Sequence, residues 1–187
     1  MPASQQLLDR NSTALIVLDL QAKLVPAMFD PGQTIRNGRI LLHLAEILRV
    51  PTILTAQYVK GLGPIVPEIR ESAPGLDFFE KTSFGCFGEP GFFGRLKNHA
   101  PQARTLVVAG VESHICVAQT VLGALEAGYL VHVASDAVCS RTRDNWQIGL
   151  NRMERAGAVI SSTEMIVYEL LGRSGTAEFK AILTMLK

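Results

Sequence analysis

Thr105-Leu106-Val107-Val108-Ala109-Gly110 carries no charged side chain and is apolar at consecutive positions, not alternate ones. A run of this kind suits a strand buried on both faces of a parallel sheet. The period then changes. From Ser113 to Glu126 the apolar residues Val117, Val121, Ala124 and Leu125 recur at i, i+4, i+7 and i+8, and Gly128 is placed to stop a helix. A buried strand followed at once by a helix is half of a βαβ crossover.

The same alternation extends in both directions. Upstream, Ala14 to Leu18 is an apolar run ended by Asp19. A helical pattern follows from Gln33 to Arg49, with Ile35, Leu41, Leu42, Ala45 and Leu48 on one side. Pro51 to Thr55 reads as a second strand. Residues 57–75, with Gly61, Gly63, Pro64 and Pro67, read as a long loop holding at most a short helix. Phe78 to Lys81 is a short strand and Phe92 to Asn98 a short helix. Downstream, Leu130 to Ala134 reads as a strand, Arg143 to Ala156 as a helix and Val159 to Ser161 as a last strand. Ser161-Ser162-Thr163-Glu164 has the spacing of a capping box opening a helix, and a final helix spans Thr176 to Leu186. The first ten residues read as a partly ordered lead-in. Strands alternating with helices predict an α/β three-layer sandwich around a central, mostly parallel sheet of Rossmann-like topology.

The 187 residues leave room for about one domain at roughly 150 residues each, so residues 1–187 are expected to form a single domain. Apolar residues make up 48% and charged residues 19%, enough for a sizeable core. Lys plus Arg is 18 and Asp plus Glu is 17. That balance argues against a nucleic-acid or membrane-surface partner, which needs an excess of positive field. No apolar run approaches the roughly 18 residues of a spanning helix, and the opening MPASQQLLDR does not read as a signal peptide. Three cysteines, an odd number, suggest reduced thiols in a cytoplasmic compartment.

In open parallel sheets, chemistry gathers beyond the carboxyl ends of the strands. Three reactive residues fall there: Asp19, Lys81 and Cys116. A cysteine in the first turn of a helix sits at its positive end, where the thiolate is favoured, and a nearby ammonium favours it further. A carboxylate within reach can take the thiol proton and later return one to a leaving group. Free N–H groups at the helix start can hold an oxyanion. These are the parts of a cysteine acyl-transfer hydrolase.

Asp19-Leu20-Gln21, Lys81-Thr82-Ser83-Phe84 and Gly110-Val111-Glu112-Ser113-His114-Ile115-Cys116-Val117, in that order, resemble the isochorismatase-like hydrolase superfamily. Val133 to Arg141 resembles that family's next strand and loop, and the likeness spans residues 13–171. It implies Cys116 as nucleophile, Asp19 as general base and later acid, and Lys81 as the group that orients Asp19 and stabilises the thiolate. It also implies a cis peptide at Val111–Glu112, aiming the Glu112 N–H beside the Cys116 N–H as an oxyanion hole. Nicotinamidases of this superfamily carry a metal-binding Asp and histidines after their second strand. Here residues 55–64 hold no His, Asp or Cys, which disfavours a nicotinamidase and predicts no metal and no cofactor. True isochorismatases do not need the cysteine, so Cys116 favours the amidase branch. The Gln57-to-Pro64 run most resembles isochorismatase domain-containing proteins of undefined substrate.

Gln21, Gln57 and Phe84 are candidate substrate contacts, and Phe87, Phe92 and Phe93 are candidates for a pocket wall or for core. His114, two residues from Cys116, does not share its helix face. Cys139 reads as structural, Cys86 as buried or mildly reactive, and Asp136 as a turn or cap. Arg141 and Arg143 are candidates for an acidic substrate group or a subunit contact. The expected function is metal-independent hydrolysis of a small amide or related C–N bond through a thioester, in a homo-oligomer (dimer or higher). The alternatives are a vestigial or redox-sensing binding module of the same fold.

Overall fold

A computed structural model of the protein describes residues 7–186, so positions 1–6 of the expected lead-in lie outside the described residues. Six strands form one sheet in the order β3-β2-β1-β4-β5-β6, every neighbouring pair parallel. They are β1 (Thr13–Leu18), β2 (Thr52–Gln57), β3 (Phe78–Lys81), β4 (Thr105–Val111), β5 (Leu130–Cys139) and β6 (Val159–Ser161). The helices between them are α1 (Pro31–Leu48), α2 (Val59–Leu62), α3 (Pro67–Ser72), α4 (Phe92–His99), α5 (Ala118–Glu126) and α6 (Arg143–Arg155), and α7 (Thr163–Leu171) and α8 (Ala177–Leu186) follow β6.

The consecutive apolar residues of β1 and β4 are explained by helices on both sides. Leu15, Val17, Val107 and Ala109 join a core under α1, α3, α7 and α8. Ala14, Ile16, Leu18, Leu106 and Val108 join the opposite core under α4, α5 and α6. The three-layer α/β/α expectation therefore holds, with a sheet that is parallel throughout. Gly110 permits the closest approach of the two central strands. A Cβ there would stand 2.0 Å from the Leu18 carbonyl oxygen, and its φ of +111° lies where side chains are strained.

Four expectations need correction. The 57–75 segment holds two short helices, α2 and α3, not at most one. β5 runs to Cys139 instead of stopping at Ala134: after a register shift between Val108 and Gly110 the pairing resumes at Gly110–Val138 and Val111–Cys139. The Ser161-to-Glu164 capping box is not the cap used. Ser162 is the N-cap, and its hydroxyl accepts from the Met165 N–H. Finally, Ser113–Val117 is a wide π turn that precedes α5, so Cys116 is not in the first turn of an α-helix.

His132 on β5 is buried, with Nδ1 unpartnered among the described residues. Burial pushes its pKa down from the ordinary 6.5, opposed by the Glu169 charge. The fold thus holds the neutral imidazole, whereas the unfolded chain takes a proton below about pH 6.5. This contribution to stability is complete above that value and lost as pH falls through it. The urea midpoint of the wild type is expected to drop more between about pH 7.5 and about pH 5.5 than that of His132→Leu. Equal drops would remove His132 as the source.

Candidate active site

β2 lies between β1 and β3, so a group ending β3 must reach across the end of β2 to meet one ending β1. Lys81 does so. It is paired in register with Gln57, and its ammonium reaches Oδ2 of Asp19 at 2.7 Å. Its other two bonds go to Oε1 of Gln57 at 2.6 Å and the carbonyl of Phe84 at 3.1 Å. An ammonium has three N–H donors, and all three are used. Asp19 and Lys81 are both fully buried. A buried ion pair is tolerated when its remaining hydrogen-bonding capacity is met in this way.

Asp19 has a φ of +54°, rare for a non-glycine residue. Thr55 holds it at two points: the Thr55 carbonyl accepts the Asp19 N–H at 3.2 Å, and its hydroxyl donates to Oδ1 at 2.6 Å. Nothing in the sequence marks Thr55, which reads there as an ordinary β-branched strand residue.

Gln21 and Gln57 are occupied inside the protein, an arrangement different from the substrate contacts expected of them. The Gln21 amide donates to the carbonyls of Gln57 and Gly63 at 3.0 and 2.7 Å and accepts the Gln57 N–H at 2.7 Å. Gln57 Nε2 donates to the Thr82 carbonyl at 2.7 Å. Both glutamines brace the Lys81 end of the site. Phe84 presents its carbonyl to Lys81 and leaves its ring 56% exposed. That ring, with Phe87 and Phe93, lines an open groove of about 560 Å³ beside the loop. Phe92 is core.

Cys116 lies at the third corner, 6% exposed. Burial pushes its thiol up to about 12. The Asp19 carboxylate adds to this through its charge and a hydrogen bond, and the Lys81 ammonium opposes it. This reverses the expectation of a resting thiolate: desolvation outweighs the one cation nearby, whose donors are all committed to oxygen. Cys86 in the adjacent loop is likewise buried and pushed up to about 12. The Val111–Glu112 peptide is cis, and the Val117 N–H and Ile115 N–H both bond to the Glu112 carbonyl, at 3.1 and 3.0 Å. His114 turns away to Ser140. All three cysteines are free thiols.

Among the described residues, no three His, Cys, Asp or Glu side chains come together as a metal site. The segment after β2 does not fit a metal, because it offers no imidazole, carboxylate or thiol and the Gln57 amide is bonded at both its atoms.

The family profile described as "Isochorismatase domain" matches residues 13–165. The chain belongs to the isochorismatase family. Its architecture is the family's hydrolase fold. A relative described as a secreted isochorismatase effector, from Phytophthora sojae, is 36% identical over 95% of this chain and 85% of its own. The solved MAR1 ribonuclease of Caenorhabditis elegans superposes with a TM-score of 0.89 at 35% identity, covering 97% of this chain and 92% of that one. The YcaC protein of Escherichia coli, described as an octameric hydrolase of unknown specificity, superposes with a TM-score of 0.88 at 28% identity, covering 96% and 90%. No helix of this isochorismatase-family protein, among the described residues, is long and apolar enough to cross a membrane.

Proposed function

We propose that this isochorismatase-family protein is a cysteine hydrolase of small amides or related C–N bonds. The observation that carries the reading is the convergence of Asp19, Lys81 and Cys116 beyond the carboxyl ends of β1, β3 and β4. The high proton affinity of Cys116 makes deprotonation part of the attack. As the sulfur bonds to the substrate carbonyl carbon, the thiol proton passes to Asp19, while Lys81 stays protonated and fixed. The carbonyl π pair moves to oxygen, facing the N–H groups of Glu112 and Cys116. Collapse of the tetrahedral species breaks the C–N bond, and Asp19 gives its proton to the leaving nitrogen. Water, losing a proton to Asp19, then attacks the thioester carbonyl; the C–S bond breaks, Asp19 returns that proton to the leaving sulfur, and the carboxylic acid is released with the thiol restored.

The octameric Escherichia coli relative and the exposed Phe84, Phe93, Ile148, Met165 and Tyr168 support a homo-oligomer. The name of the Caenorhabditis elegans relative favours a second reading, ribonuclease action. The net charge of +1 weighs against it, because phosphate backbones are held chiefly by excess positive charge.

A panel of small amides, carbamoyl compounds and RNA tests both. The expected result is release of amine or ammonia from at least one amide, with an acyl mass increment on the peptide that carries Cys116. Cleavage of RNA, with no amide turned over and no adduct, would replace the amidase reading.

A further inference from the structure

Outside Asp19, Lys81 and Cys116, the turn that carries the cysteine is gripped by two consecutive residues of the loop after β5. Ser140 and Arg141 between them reach three consecutive residues of that turn. The Ser140 hydroxyl lies 2.6 Å from the hydroxyl of Ser113 and 3.0 Å from Nδ1 of His114. Arg141 donates its backbone N–H and its Nε–H to the same Glu112 oxygen, Oε2, both at 3.0 Å. Ser113, Ser140 and Glu112 are buried, where hydrogen bonds are strong and leaving a group unpaired is costly. The Ser140 carbonyl is itself tied to the Phe29 N–H at 3.0 Å. On another side α6 rests directly on the turn. A Cβ at Gly149 would stand 2.9 Å from the carbonyl carbon of Ser113, so only glycine allows that approach.

These contacts share one effect. They hold Glu112, Ser113 and His114, the start of the turn that ends at Cys116, and the N–H groups of Glu112 and Cys116 face the developing oxyanion in the mechanism above. Donors stabilise an oxyanion well only when they are aimed before the charge forms. We propose that Ser140 and Arg141 are positioning residues, which hold the Glu112–Cys116 turn in register for a tetrahedral oxygen. The inference rests on the cysteine-hydrolase reading and deepens it.

Butanal is the probe. Cys116 sulfur bonds to the aldehyde carbon, the C=O π pair moves to oxygen, and the thiol proton is passed to that oxygen. The product is a thiohemiacetal, and no further reactant is needed. Iodoacetamide is the control. There the sulfur displaces iodide at a saturated carbon, the thiol proton leaves to solvent, and no oxyanion forms. Ser140→Ala and Arg141→Met, shown by circular dichroism to be folded, are each expected to bind carbonyl-¹³C butanal about tenfold more weakly by NMR, the scale of a modest misplacement. Alkylation of Cys116 by iodoacetamide is expected to stay within about twofold of wild type, because it uses no oxyanion donor. Unchanged butanal affinity in both variants would overturn the proposal, as would a parallel loss of alkylation. Should Ser140→Ala fail to fold, Arg141→Met decides, since its side chain is 59% exposed. Failure of the wild type to form the adduct would overturn the hydrolase mechanism itself, and the positioning role with it.

Discussion

Cys116→Ala is expected to abolish turnover of any amide that the wild type cleaves, a loss of roughly 10⁴-fold or more. The reason is specific to covalent catalysis. Without the sulfur no thioester forms, and what remains is only the stabilisation that the N–H donors and Lys81 give to direct attack by water. The same variant should show no acyl increment at residue 116. Full activity of Cys116→Ala on an identified substrate would take the thiol out of the mechanism. The resting thiol makes a companion statement. With Cys116 held at about 12 by burial and by Asp19, its alkylation by iodoacetamide should keep rising with pH through the range where an ordinary cysteine, near 8.5, has levelled off. Cys86, also held at about 12, is carried on a different tryptic peptide and serves as an internal comparison. A plateau for Cys116 below about pH 9 would mean a resting thiolate, and would restore what the sequence alone suggests.

That divergence shows what a sequence can and cannot carry. The runs at residues 14–18 and 105–110 announce their burial directly, because a strand covered on both faces has no polar position to alternate with. Asp19 is readable for a related reason: a charged residue ending an apolar strand marks the rim of a parallel sheet. Lys81 ends the Phe-Phe-Glu-Lys strand, where Glu80 already breaks the apolar run, and only its order among the motifs marks it. The proton affinity of Cys116 was not readable. It is set first by burial and then by the Asp19 charge, both of which depend on how distant parts of the chain pack around the sulfur, and no local spacing encodes that. The braces were hidden for another reason. Thr55 looks like an ordinary strand residue, and Gln21 and Gln57 look like substrate contacts, until a partner 36 residues away in the chain gives their polar atoms a use inside the protein. Ser135 and Asp136 hide the second half of β5 in the sequence, because polar residues there end an apolar run. Here the Asp136 carboxylate is instead taken up by the N–H and hydroxyl of Thr163, at 2.7 and 2.8 Å, and the strand continues.

The buried pair itself gives the largest expected effect on stability. Lys81→Met keeps roughly the volume of the stem but removes the cation. It leaves the Asp19 carboxylate with the Thr55 hydroxyl and without its counter-charge, and strips Gln57 Oε1 and the Phe84 carbonyl of their donor. Breaking one side of a buried, hydrogen-bonded pair costs about 3–5 kcal/mol, because the surviving charge stays desolvated. Urea unfolding is expected to show that loss in Lys81→Met. Asp19→Asn added to it removes the stranded charge while retaining a side chain that tolerates the φ of +54° at that position. The double variant should therefore be more stable than the sum of the two single losses predicts, by about 1 kcal/mol or more, the coupling seen between groups in one network. Neither variant should turn over substrate, since each lacks a member of the trio. A Lys81→Met cost below about 1 kcal/mol, or strict additivity of the two substitutions, would show that the ammonium is not what holds Asp19 in place. The charge arrangement on which the proposed chemistry rests would then need a different support.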